Sequence, residues 1–122
     1  MLNTLKGKTA AYLYGLQKVA AFRPLEATHL IQKVFEKGDL NMRLATFRTA
    51  IFSPHIGDGK LIGDLFIKLM AATTKEEREE IVEPFLINLL QKTSSAISKS
   101  SQGKLAWLNA LYHGWQQESS VN

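Results

Sequence analysis

The chain has no cysteine among its 122 residues, and only three prolines and three histidines. Without thiols there is no disulfide framework, no thiol nucleophile and no thiolate metal site, and we expect a reducing, cytoplasmic setting. No uninterrupted apolar run approaches the roughly 20 residues that span a bilayer. No stretch alternates apolar and polar residues long enough to make a strand, and no segment repeats. Acid is absent from the start of the chain, where the first carboxylate is Glu26. The stretch from Lys6 to Leu16 has the outline of a secretion signal, but it is short and Gln17 and Lys18 interrupt it, so no cleaved signal is expected.

What remains is an ordinary globular composition, 45% hydrophobic and 21% charged, in a chain of common domain size. The net charge is +4 and uneven: residues 1–60 carry a net +5 and residues 61–122 a net −1. Such asymmetry suits a nucleic acid or another anionic surface, although basic residues scattered over solvated helix faces explain a charge this small better.

The apolar spacing predicts an all-α, compact bundle of about six helices in one domain over residues 1–117, followed by a flexible polar tail at 118–122. Leu5, Leu13, Leu16, Val19 and Ala20 form one stripe of the first helix, which Arg23-Pro24 ends. Pro24 suits the first position of the second helix, which carries Leu30, Ile31, Val34 and Phe35 and should stop at a left-handed Gly38. Asp39 should cap a third helix bearing Leu40, Leu44, Phe47 and Ile51. Residues 59–71 are apolar almost all round and should be the buried centre. Thr73-Thr74-Lys75-Glu76-Glu77 offers a capping box in either register. Pro84 must then kink or divide the helix that follows. The serine-rich residues 93–103 read as the longest loop, before a last helix at about 103–117.

The segment Phe52–Leu65, FSPHIGDGKLIGDL, looks like a phosphate loop at first sight. It fails as one: Leu61 follows Lys60 where a serine or threonine is needed, no glycine stands at the required upstream spacing, and no strand precedes it. It also lacks the alternating acids of a calcium loop. Capping explains it better, with Asp58 closing the amino end of a helix and Lys60, Asp64 and Lys68 forming a charged row in which Lys60 has a partner. His29, His55 and His113 share no metal-binding spacing, and His55 with Asp58 would be an acid–base pair only if the loop folded back. No Gly-x-Ser-x-Gly elbow is present, and the acids from Glu76 to Glu83 fit the first turns of a helix. These residues imply no enzyme activity, no metal and no cofactor.

Helices two and three invite comparison with a helix-turn-helix, but Lys33, Lys37 and Asp39 fall where that unit buries apolar side chains. Lys6, Lys8, Lys18, Arg23, Arg43 and Arg48 remain candidates for touching phosphates, and they define an alternative, nucleic-acid-binding or anionic-surface reading. The last helix carries a more distinctive pattern. Leu105, Leu108, Leu111, Tyr112 and Trp115 make its core stripe, while Gly103, Trp107, Ala110 and Gly114 form a second line at helical spacing. Two apolar faces mean either that the helix is sandwiched inside the bundle, which so few helices slightly favour, or that the second face takes a partner. The second possibility carries a function: a non-catalytic protein–protein interaction module, such as an adaptor, a regulator or a self-associating subunit, using Trp107, Ala110, Gly114 and Gly103 to hold another protein or a second copy of itself.

Overall fold

The computed structural model describes the backbone of residues 2–91 and 97–121, and side chains over 11–91 and 97–118. Within them the chain is all-α: six helices and no strand. They are α1 Leu2–Phe22, α2 Pro24–Lys37, α3 Leu40–Phe52, α4 Gly59–Ala71, α5 over 75–90, and α6 Lys99–Val121. Among the described residues no helix is long and apolar enough to cross a membrane.

Local chemistry sets most boundaries. Pro24 begins α2, and Asp39 Oδ1 accepts the Met42 amide at 2.8 Å to begin α3. Thr74 and Glu77 make the capping box that starts α5, exchanging bonds of 3.1 and 2.9 Å. Gly38 departs from expectation, because its backbone is extended (φ −80°) and not left-handed. The requirement for glycine there is steric: a Cβ would stand 2.7 Å from the Val34 carbonyl oxygen. The left-handed glycine is Gly57, at φ 56°, in the turn that leads into α4.

Pro84 is accommodated by a change of helical register. Lys75–Glu77 is α-helical, Arg78–Val82 is a π-helical turn, and Glu83–Leu90 is α-helical again. The Glu83 amide reaches back five residues to the Arg78 carbonyl, and the wider turn gives room ahead of the proline ring. Residues 92–96, part of the expected serine loop, lie outside the described residues. The remainder of that stretch is helical sooner than its composition suggests. Ser98 Oγ accepts the Ser101 amide at 3.1 Å in the manner of an N-cap, and α6 begins at Lys99. At its other end α6 continues through Val121, so the backbone expected as a tail is helical as far as that residue.

The core collects one stripe from each helix. Leu16 and Ala20 of α1, Ile31 and Phe35 of α2, and Phe47 and Ile51 of α3 are buried, as are Leu86 and Leu89 of α5 and Leu105 and Leu108 of α6. Leu61, Ile62, Leu65, Phe66, Leu69 and Met70 bury most of α4, which packs on α2, α3 and α6 as a central helix should. Ile67 is the exception on α4 and points largely into solvent.

Candidate functional site

Glycines on α4 build the site. Gly59 and Gly63 lie one turn apart on one face, and the Trp107 indole of α6 rests on both. A Cβ at Gly59 would stand 3.1 Å from Trp107 Cγ, and one at Gly63 would stand 3.3 Å from Nε1 and 3.8 Å from Leu111 Cδ1. The chain numbers of α4 and α6 rise together along this contact, so the two helices run in the same direction. Trp107 is neither sandwiched nor free: one side of the ring lies on α4 and 52% of the residue is exposed.

Beyond the indole, α4 and α6 diverge into an open apolar groove of about 470 Å³. Its α4 wall is Phe66 and Ile67, and its α6 wall runs from Trp107 through Ala110, Leu111 and Gly114 to Trp115, with Glu118 at the far end. Ile67 is also a ridge: on its other side, with Asp64 and Lys68, it borders a shallower hollow of about 200 Å³. Trp107, Ala110 and Gly114 therefore share one surface, as their spacing predicts. Gly103, one turn earlier, is exposed and lies outside the groove lining. Among the described residues nothing comes within 4 Å of a Cβ built at Gly103 or Gly114, so none of them uses the close backbone approach those glycines permit. The small residues that are used, Gly59 and Gly63, are the ones the sequence pattern did not single out.

One turn before Trp107, α6 buries a charge. Lys104 is 2% exposed, and its Nζ donates to the carbonyls of Ala50 (2.9 Å), Ser53 (2.8 Å) and Ile56 (2.5 Å). The cause lies in the sequence of α3. The Ala50 carbonyl would ordinarily accept the amide of residue 54, but residue 54 is proline and has no N–H. A buried carbonyl without a donor is costly, and the Lys104 ammonium replaces the missing donors while meeting the negative end of the α3 dipole. Burial pushes the Lys104 pKa below its ordinary value, and the Asp58 carboxylate acts in the opposite direction. Arg78 does the same for α4, donating to the carbonyls of Met70 (3.0 Å) and Thr73 (3.3 Å).

The segment resembling a phosphate loop is thus a tethered turn. Ile56 is fully buried, and Asp58 Oδ1 accepts the amides of Lys60 and Leu61 at 3.0 and 3.3 Å. His55 is exposed, and its amide donates to Ser53 Oγ at 3.3 Å. The expected pairing of Lys60 is not found: Lys60, Asp64 and Lys68 are exposed, and no ion pair joins them among the described residues. Among those residues no three His, Asp or Glu side chains are grouped to hold a metal ion.

Three of the six basic candidates are engaged with near neighbours. Lys18 stands 4.8 Å over the Tyr14 ring, Arg23 pairs with Glu26 at 3.2 Å, and Arg48 lies 5.6 Å over the Phe52 ring. Arg43 is half-buried, with its Nε out of water and without a hydrogen-bond partner among the described residues. The side chains of Lys6 and Lys8 lie outside the described residues. Compared with protein-family models, curated proteins and solved structures, the chain matches nothing, so any functional reading starts from the groove itself.

Proposed function

We propose that the protein is a non-catalytic docking module that holds a partner protein in the groove between α4 and α6. The observation that carries this reading is Trp107, a large aromatic side chain fixed on one side by Gly59 and Gly63 and left 52% exposed on the other. An indole already held by its own fold loses little conformational freedom on binding, and such aromatic anchors dominate interface energetics. Ile67, 63% exposed on the opposite wall, supplies a second apolar contact. The floor at Ala110 and Gly114 is low enough to admit the apolar face of a helix, the helix-in-groove mode of recognition.

Among the described basic candidates, Lys18, Arg23 and Arg48 each rest against a neighbour close in sequence. The test is a photoreactive benzoylphenylalanine placed at Ile67, an exposed position on the α4 wall of the groove, and irradiated in cells. The expected product is a defined protein adduct that disappears with Ala110→Glu. Equal labelling from the same probe at exposed Lys33 of α2, or no adduct at either site, would remove the reading.

A further inference from the structure

Resting on the groove reading, we infer that the occupant is a second copy of this chain, docked antiparallel about a two-fold axis that passes between the two α6 helices beside Ala110. The groove is complementary to its own rotated image in shape. Trp107 stands up at one point of the α6 face and Gly114 leaves a hollow seven residues further on, about 10 Å along the helix. A two-fold axis midway between them places the outer face of each indole over the other copy's Gly114. One sequence then satisfies both halves of the contact, as an isologous interface requires. The two α6 backbones can also approach closely at Ala110 and Gly114, an approach that no described residue of the single chain makes at Gly114.

Charge selects the same orientation. Lys60 follows Gly59 and stands at the Trp107 end of the groove, while Glu118 closes the other end. Both are exposed, and neither is in an ion pair among the described residues. Because α4 and α6 run in the same direction, rotating one copy by a half turn brings Lys60 of each towards Glu118 of the other. A copy docked parallel would set like charges against like at both ends. In the antiparallel arrangement each Glu118 also nears the amino end of the other α4, where the helix dipole favours an acid.

Sedimentation equilibrium over a concentration series tests the proposal on the full chain. The wild type is expected to show a reversible monomer–dimer equilibrium. Ala110→Glu, at an exposed position that leaves the monomer's circular dichroism and melting unchanged, weakens it by about tenfold or more by setting two carboxylates against each other near the axis. Lys60→Glu and Glu118→Lys each weaken it by about threefold to fivefold, and the double reversal restores it. A wild type that stays monomeric, or a dimer indifferent to Ala110→Glu, overturns self-pairing. A double reversal no better than the single variants overturns the antiparallel arrangement. The Ile67 photoadduct separates this inference from the reading beneath it. An adduct of twice the chain mass supports both, an adduct with a different protein keeps the groove and removes the second copy, and no adduct removes both.

Discussion

Lys104 and Trp107 stand one turn apart on α6 and reverse the usual placement of their types. The ammonium is inside, 2% exposed, and the indole is half in water. The difference teaches where each helix face finds its obligations. The Lys104 face meets the end of α3, where Pro54 leaves a carbonyl without its donor, so a charge is more useful there than a methyl group. The Trp107 face meets two glycines of α4, which provide a flat seat for one side of a ring and nothing for the other. One position completes the fold, and the other leaves half of an indole in water.

The strongest way to break this comparison is to remove the charge. Lys104→Met strands three carbonyls, at about 1–3 kcal/mol for each one left without a donor, and should cost about 3 kcal/mol or more in denaturant unfolding. A loss below 1 kcal/mol would mean that water replaces the ammonium easily. Trp107→Ala removes a larger side chain yet should cost less, about 1–2 kcal/mol, since half of its surface is never buried. Its photoadducts and self-association should vanish while the circular dichroism spectrum stays native. If Trp107→Ala proves the more destabilising of the two, the assignment of roles is reversed.

Gly63→Ala sharpens the picture of the seat. The helix gains about 0.5–1 kcal/mol from losing a glycine, and the indole must shift by a few tenths of an ångström to clear the new Cβ. With water on its outer side the ring can move, so stability should hold or rise slightly while tryptophan emission shifts to the red. A marked loss of stability would show the ring to be pinned. The gentlest effect is a slope with pH. The folded pKa of Lys104 is lowered, so between that value and the unfolded 10.5 the unfolded chain binds more protons and stability rises with pH. Tyr12 and Tyr112 act the other way above pH 10, because their raised pKa values make the fold resist ionisation. Subtracting Lys104→Met from the wild type cancels the tyrosines, and the gap between the two should widen from neutral pH towards 10.5.

These contrasts also mark what could be read from the chain in advance. The caps at Asp39, Asp58 and Thr74 were legible because each involves residues two or three apart, where sequence spacing is itself geometry. The apolar stripes and the shared face of Trp107, Ala110 and Gly114 were legible for the same reason. The glycine seat was not, since it depends on which face of α4 meets α6, and that is set by packing across some 45 residues of chain. Lys104 was missed although a signal existed. A proline four residues after a buried alanine guarantees a carbonyl in need of a donor, and the sequence cannot say which distant side chain supplies it.

Pro54 has a further consequence for the order in which the chain becomes complete. The donor for the end of α3 arrives 54 residues later than Ala50. A ribosome still making α6 holds a nascent chain whose 53–58 turn has its shape written locally but lacks the bond that fastens it. The turn is therefore set only once the helix that carries Lys104 exists, and its closure is a long-range event presented as a short-range motif.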